Sequence, residues 1–195
     1  MKILIILAHP NPASFNHAMA NACREELLAQ NHEVIFHDLY TEKFDPFLYH
    51  EEFPDNADLP PEIAKHCDEL SQADGIIIVH PNWWGQPPAI LKGWVDRIIR
   101  PGVAYRFLEG DSGEGVPEGL LKAQTAIVFN TSNTNETREM NIFGDPLERI
   151  WKDCIFQFCG IRKFYRKMFR IICVSNFEKR QKWLDEVREI VNNLF

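Results

Sequence analysis

Three polar or aromatic segments follow aliphatic runs, and their side chains are of kinds that bind phosphate groups or flat rings. The first segment, residues 9–16, contains His9, Ser14 and Asn16, all of which can donate hydrogen bonds. A stretch with helical periodicity begins at Ser14, which is the candidate N-cap. Because the first turn of a helix has free N–H groups that attract anions, this segment predicts a phosphate site. A helix cap that binds no ligand would use the same residues.

The second segment, residues 81–88, places Trp83 and Trp84 between prolines. Prolines fix φ and stiffen a loop, while indole rings offer a surface on which a flat, redox-active ring can stack. This combination suits a cofactor with an extended ring system. Paired tryptophans in a loop also anchor a core or a protein interface, and the sequence alone leaves that alternative open.

The third segment, residues 131–135, carries hydroxyl and amide side chains that can address one edge of a ligand. An Asx or Ser/Thr turn without a ligand has the same composition. Other nucleotide sites are disfavoured, because neither GxGxxG nor GxxxxGK[ST] occurs at the first turn. The seven histidines form no HExxH or comparable cluster, so we predict no metal site.

Aliphatic runs alternating with helical periodicity predict the elements that position these segments. Five strands are expected at 2–8, 33–39, 75–80, 125–130 and about 169–174. Helices are expected from Ser14 and at about 61–71, 89–99, 146–158 and 178–193, with a Gly-rich loop over 100–120. Parallel strands need helical crossovers, so the pattern predicts an α/β fold with helices on both faces of a parallel sheet. Ligands bind such sheets beyond the carboxyl ends of the strands, where the three segments would meet.

Composition fits a single globular domain over residues 1–195, with 45% hydrophobic residues. The net charge of −7 argues against nucleic acid or anionic membranes as partners, and the basic stretch 162–170 is interpreted as a solvated face. No run approaches the roughly 20 apolar residues of a membrane span. Five scattered cysteines and the lack of a signal peptide lead us to expect a reduced, cytoplasmic protein.

Several motifs together resemble a known family. They are His9-Pro10 with Ser14-Phe15-Asn16, Pro81-x-x-Trp84, and the string PAILKGW at 88–94 followed by Asp96-Arg97. These resemble the flavodoxin-like NAD(P)H:quinone oxidoreductases, which include the DT-diaphorase enzymes and a flavin-bearing ancillary protein of potassium efflux systems. The similarity extends from residue 1 to about 175. It implies a doubly wound, five-stranded parallel sheet of order 2-1-3-4-5.

The resemblance also implies a flavin, FMN or FAD, in the three segments. The implied cofactor residues are His9, Ser14, Phe15 and Asn16 at the phosphate, Pro81, Asn82, Trp83, Trp84 and Gly85 along the ring, and Thr131, Ser132, Asn133 and Thr134 at its pyrimidine end. Family members are homodimers in which an aromatic pair from the partner chain closes the substrate pocket. Tyr105 and Phe107 match that pair.

The chain departs from the family pattern at positions that bear on chemistry. Gly85 stands where many members have Phe, which would leave more room beside the flavin. Asn133-Thr134 replaces a Gly-Gly pair, so backbone approach to the ring is expected to differ there. The Tyr and His credited with stabilising the charge of the reduced flavin are missing, and Phe143 occupies the place of the His. Phe143 is therefore a candidate substrate-pocket residue together with Tyr105 and Phe107.

The implied activity is a two-electron transfer from NAD(P)H through the flavin to a quinone or similar small acceptor, with ping-pong kinetics. A rival hypothesis is an electron carrier or regulatory flavoprotein without its own substrate, as the potassium-efflux relative suggests. A third is a flavin-free α/β binding protein. The aromatic pocket favours the enzyme, since a carrier with an exposed flavin edge would not need it. The sequence leaves open whether the electron donor is NADH or NADPH.

Overall fold

A computed structural model of the chain describes residues 1–54, 57–108, 110, 115 and 117–195. Its strands are β1 (Lys2–Leu7), β2 (Glu33–Asp38), β3 (Gly75–Pro81), β4 (Tyr105–Arg106), β5 (Glu118–Gly119), β6 (Thr125–Ser132) and β7 (Lys163–Arg170). Its α-helices are α1 (Phe15–Ala29), α2 (Pro61–Gln72), α3 (Ala89–Ile98), α4 (Glu136–Asn141), α5 (Pro146–Arg149) and α6 (Phe177–Leu194). A π-helix, Ile150–Gln157, continues α5.

Five parallel strands form one sheet in the order β2-β1-β3-β6-β7, which confirms the predicted order 2-1-3-4-5. Every residue of β3 and β6 is buried, as expected for central strands covered on both faces. In this sheet β2 lies on one side of β1, and β3, the next strand along the chain, lies on the other side. The carboxyl end of the sheet between β1 and β3 is therefore the switch point, where a crevice opens in such folds.

Two apolar layers hold the helices to the sheet. On one face α1 and α6 pack together over β1, with Met19, Val187 and Val191 fully buried among strand isoleucines. On the other face α2, α3 and the π-helix cover the sheet, and the large buried side chains Trp94 and Trp151 fill that layer. Both faces of the sheet are thus closed, and the ligand-binding surface is left to its carboxyl edge.

The fifth strand lies earlier than the sequence indicated, at Lys163–Arg170 rather than about 169–174. Four of its eight residues are basic, which is typical of an edge strand and weakens the apolar signal in the sequence. The apolar run that suggested the later position instead leaves the sheet, because Ile171 takes a positive φ of 59° and Ile172–Val174 form a 3₁₀ turn.

Two other elements differ from the sequence-based expectation. The helix predicted over 146–158 is short as an α-helix and widens into the π-helix, which brings the buried Trp151 within hydrogen-bonding distance of β3. The predicted Gly-rich loop 100–120 contains the antiparallel pair β4 and β5, with part of the loop outside the described residues. Among the described residues, no helix combines the length and apolar character needed to cross a bilayer.

Candidate flavin site

A cavity of about 800 Å³ opens at the carboxyl edge of the sheet, between the turns that follow β1, β3 and β6. Every residue predicted to bind the cofactor in those three turns lines this cavity, and so does Phe143. The structure therefore brings together the segments that the sequence singled out. Their role in binding flavin stays a prediction.

At the first turn, Ser14 caps α1, with its Oγ accepting a hydrogen bond from the His17 N–H at 3.3 Å. The amides of Phe15 and Asn16 begin the helix and have no intrahelical acceptor, which makes this end attractive to an anion. Burial, followed by the proximity of His17, lowers the pKa of His9, although a hydrogen bond with the Asn11 backbone opposes this. His9 Nδ1 lies 3.1 Å from the amide nitrogen and 3.3 Å from the carbonyl oxygen of Asn11, so this ring atom is held by the backbone of its own turn.

At the second turn, Trp84 and Gly85 both have positive φ, 58° and 72°. Two backbone hydrogen bonds between Trp83 and Gln86, of 3.1 and 3.0 Å, close a two-residue turn of the type I′ kind around them. Asn82 fixes this turn to the sheet, because its N–H donates to the Thr131 carbonyl at 2.7 Å and its Oδ1 accepts from the Gly85 N–H at 2.9 Å.

The space at the Cβ position of Gly85 is filled from within the chain. A Cβ built at Gly85 would lie only 2.8 Å from Cγ of Pro146. The proline ring therefore occupies the space into which a Cβ at this position would point, and the room expected beside the cofactor stays a prediction. The positive φ gives a second reason for glycine at this position.

Trp84 is fully exposed in the single chain and strained by its positive φ. We expect Trp84→Asn to raise the free energy of unfolding of the flavin-free protein by about 1 kcal/mol, since Asn tolerates the left-handed region. The same substitution should weaken flavin binding, because it removes the stacking surface. Urea unfolding and fluorescence titration with FMN measure the two effects. Trp84→Phe, which keeps a bulky ring at the same φ, should leave the stability unchanged; a less stable Trp84→Asn protein contradicts the prediction.

At the third turn, short side chains fix the backbone around the cavity. Asn16 Nδ2 donates to Thr131 Oγ1 at 2.9 Å, which joins the first turn to the third. The Thr134 N–H donates to Ser132 Oγ at 3.0 Å, and Asn133 Oδ1 accepts from the Cys173 N–H at 3.0 Å. The backbone of the third turn is thus held through the side chains of Ser132 and Asn133.

Beneath the cavity lies a buried polar network that the sequence did not suggest. The neutral ring of His80 donates from Nδ1 to the Pro81 carbonyl at 2.8 Å, and its Nε2 accepts from Trp151 Nε1 at 2.9 Å. Burial above all, with the nearby Arg166 charge, lowers the pKa of His80 to about 3. Asn130 Nδ2 also lies 2.9 Å from His80 Nε2. These contacts fix the end of β3 from which the second turn departs.

The interpretation of the basic stretch 162–170 as a solvated face is wrong for Arg166. Its side chain is only 5% exposed and contacts the carboxylates of Asp145 and Glu148, with Nη1 donating to Asn130 Oδ1 at 3.1 Å. A buried guanidinium requires such acceptors, since an unpaired charge in the interior is costly. Arg166 therefore ties β7 to the loop that precedes α5.

Six cavity residues were not predicted from the sequence: Ala13, Arg138, Glu139, Pro146, Ile172 and Arg180. Arg180 is held in place by donating from Nε to Ser175 Oγ at 2.8 Å and from Nη2 to the Ile172 carbonyl at 3.1 Å. It adds a positive charge to a cavity that already includes the N-terminus of α1. No local signal distinguished it, because α6 looks like an ordinary amphipathic helix.

Two buried acceptors at the cavity suggest what it holds. Asn16 Oδ1 and Glu139 Oε2 find no hydrogen-bond partner among the described residues. A ligand with N–H or O–H donors at one end and an anionic group at the other would satisfy both acceptors and the first-turn amides. A flavin nucleotide, with its ring imide, its hydroxylated chain and its phosphate, has these groups, so the residues present fit it.

Tyr105 and Phe107 do not line this cavity within the single chain. Their ring centroids are 5.9 Å apart, and Tyr105 lies 5.0 Å from the ring of Phe158. The prediction that a partner chain brings this pair to the pocket therefore stays a prediction. Phe143, by contrast, is a cavity residue of its own chain and is 53% exposed.

Away from the cavity, ligand atoms of His37, Glu42 and His66 lie within 4.8 Å of one another. His66 Nδ1 accepts a hydrogen bond from Trp94 Nε1 at 3.2 Å, so the neutral ring holds its proton on Nε2, where a metal would have to bind. His37 Nδ1 and Nε2 lie 2.9 and 2.7 Å from the carboxylates of Glu42 and Glu69. The cluster is therefore held by its own hydrogen bonds, with His37 and His66 buried and Glu42 exposed.

The fold and the cavity define a cofactor-binding protein of the flavodoxin type, and comparisons with known proteins agree. A family profile described as "Flavodoxin-like fold" matches residues 1–192, and the chain belongs to this family. A Haemophilus influenzae protein named NAD(P)H oxidoreductase is 35% identical over 190 residues, covering 95% of this chain and 91% of its own. The resemblance inferred from the sequence motifs is thereby confirmed.

Two further relatives illustrate the range of the family. Mouse ribosyldihydronicotinamide dehydrogenase [quinone] is 29% identical over 219 residues, covering 97% of this chain and 91% of its own. A crystal structure of a Streptococcus mutans UA159 protein is 33% identical, covers 100% of both chains and superposes with a TM-score of 0.85.

Proposed function

We propose that this protein is a flavin-dependent NAD(P)H oxidoreductase that passes two electrons to a quinone or similar small acceptor by a ping-pong mechanism. The general class, an NAD(P)H oxidoreductase with a flavin cofactor, is that of its relatives. The observation that carries the proposal is the meeting of the three turns around one cavity whose free polar groups match a flavin nucleotide.

Each part of the cavity has a separate task in this proposal. The first-turn amides, with the side chains of His9 and Arg180, bind the phosphate. Trp83 and Trp84 provide the wall along the ring, and Asn16 joins the first and third turns. The bound flavin supplies the hydride chemistry, and the chain contributes orientation, dry walls and hydrogen bonds.

Proton delivery follows from the residues near the acceptor site. Phe143, half exposed at the cavity, has no ionisable proton, unlike the histidine that the family resemblance implies at this place. The proton that accompanies reduction of the acceptor therefore comes from water or from another cavity group. General acid–base help is typically worth about 10²–10⁴-fold, so its loss slows turnover without abolishing it.

We also propose a homodimer in the cytoplasm, with Tyr105 and Phe107 of one subunit closing the cavity of the other. Met140, Ile142 and Phe143 support this, because all three are at least half exposed in the single chain and lie at or beside the cavity residues Glu139 and Phe143. Exposed apolar side chains so close together in the chain favour a protein contact. We propose no nucleic-acid partner.

A kinetic experiment tests the function. Purified protein should show a flavin absorption spectrum that bleaches on anaerobic mixing with NADH or NADPH, before any acceptor is added. Initial rates against NAD(P)H at several concentrations of a soluble quinone should give parallel double-reciprocal lines. Mass identification of the released flavin decides between FMN and FAD.

The rival hypotheses predict different results in the same experiment. A yellow protein whose spectrum is inert to NADH and NADPH would be an electron carrier or regulatory flavoprotein. Intersecting double-reciprocal lines would contradict the ping-pong sequence while leaving the activity in place. A colourless protein that binds neither FMN nor FAD would be a flavin-free binding protein.

A further inference from the structure

Helix α4 buries a carboxylate and exposes its apolar residues. Of its six residues, all described, Glu139 alone is buried, at 1% exposure. Met140 in the helix and Ile142 and Phe143 just after it are 50%, 73% and 53% exposed. This reverses the usual arrangement of a surface helix, and burying a carboxyl group costs free energy unless its oxygens are hydrogen-bonded. Something other than packing must therefore account for Glu139.

One carboxylate oxygen of Glu139 has a structural partner. Its Oε1 accepts a hydrogen bond from Asn82 Nδ2 at 3.1 Å, and the Oδ1 of the same Asn82 holds the Gly85 N–H. The backbone carbonyl of Glu139 accepts from the Asp145 N–H at 3.0 Å. Glu139 thus connects the tryptophan turn after β3 to the helix after β6, across the ring end of the cavity.

The other oxygen, Oε2, is buried at the cavity without a partner among the described residues. A buried acceptor of this kind is satisfied by a ligand N–H or O–H group, and the bond is strong when the acceptor is a carboxylate. The oxidised flavin ring carries one N–H, in the imide of its pyrimidine end. With the phosphate on α1, the ring extends toward the second and third turns, between which Glu139 lies.

We propose that Glu139 Oε2 accepts a hydrogen bond from the imide N–H of the flavin ring, which makes Glu139 a cofactor-binding residue. The inference rests on the proposed flavin site and adds a side-chain contact to it. Its second effect is electrostatic. Because Glu139 Oε2 accepts a hydrogen bond, it cannot donate one to the reduced ring, which gains electron density. The tyrosine and histidine that the family resemblance implies for stabilising this charge are also missing from the chain.

The test compares FMN with N3-methyl-FMN, which has no imide N–H, by fluorescence titration. Wild-type protein should bind the methylated flavin about 10- to 100-fold more weakly, as expected for one charge-assisted hydrogen bond. Glu139→Gln keeps an oxygen for Asn82 but turns an N–H toward the ligand. It should bind FMN about 10- to 100-fold more weakly and discriminate less against the methylated form. Glu136→Gln, an exposed change on the same helix, is the matched control and should behave as wild type.

Several outcomes overturn the proposal. Equal wild-type affinity for the two flavins does so, because it shows that the imide N–H makes no bond. A Glu139→Gln protein that loses the same affinity for both flavins also does so, since that is the signature of a structural role alone. If Glu139→Gln melts much earlier than wild type, the wild-type comparison decides by itself. Failure of the proposed function is distinct: wild-type protein would then bind neither FMN nor FAD.

Discussion

Arg166→Met is expected to lower the free energy of unfolding by about 3–5 kcal/mol, the usual cost of removing one partner from a buried ion pair. The methionine fills much of the volume, but it leaves the buried carboxylate of Asp145 without its cation and Asn130 Oδ1 without its donor. The loss is large because neither group can turn to solvent. Urea unfolding at neutral pH, followed by circular dichroism, measures it.

Two further variants separate charge from packing in that experiment. Lys163→Met changes an exposed lysine on the same strand and should alter the free energy by no more than about 0.5 kcal/mol. Adding Asp145→Asn to Arg166→Met should recover part of the loss, because it removes the charge left without a partner. A single Arg166→Met variant within 1 kcal/mol of wild type would show that the network adds little to stability.

The sheet was predictable because its central strands are continuous aliphatic runs that no other element explains. β1, β3 and β6 lie within a residue or two of their predicted positions. The edge strand β7 was misplaced, since its basic residues read as surface while the apolar run after it reads as strand. Edge strands meet solvent along one side, so their sequences carry a weaker apolar signal.

The candidate site was predictable where its residues belong to the strand-to-helix turns. His9, Asn16 and Trp84 lie in segments that the parallel topology brings together. Arg180 was missed because its helix looks like an ordinary amphipathic one, and Glu139 was missed because no helix was predicted over Glu136–Asn141. Their positions at the cavity depend on tertiary contacts, which local sequence patterns do not encode.

Acidification between pH 6.5 and 5 is expected to destabilise the protein through two buried histidines. Burial, and for His66 the nearby charges of His37 and Lys65, lowers the pKa of both His66 and His80 to about 3. In the unfolded chain each ring would protonate near pH 6.5. The unfolded state thus binds more protons in this window, and stability falls as pH falls, by up to about 1.4 kcal/mol per pH unit for each histidine.

His37 acts in the opposite direction, because its pKa is raised. Burial opposes its charge, but hydrogen bonds to Glu42 and Glu69 outweigh that effect. Its contribution to the free energy of unfolding is complete below the pKa of the unfolded chain and is lost as the pH rises through the pKa of the folded protein. His37 therefore adds no further stability as the pH falls below 6.5, and it does not offset the loss in acid. The histidines therefore define a stability maximum near neutral pH.

Single substitutions assign the acid loss to particular rings. His80→Gln retains an amide donor for the Pro81 carbonyl and an acceptor for Trp151, but it cannot titrate. The substitution should lower the free energy of unfolding at pH 7.5 through altered packing. It should also reduce the slope of that free energy against pH by up to about 1.4 kcal/mol per pH unit, the amount that corresponds to one proton. His66→Gln should reduce it similarly. Urea unfolding at half-unit pH steps measures the slopes, and an unchanged slope in both variants would mean that these rings are already protonated in the folded protein.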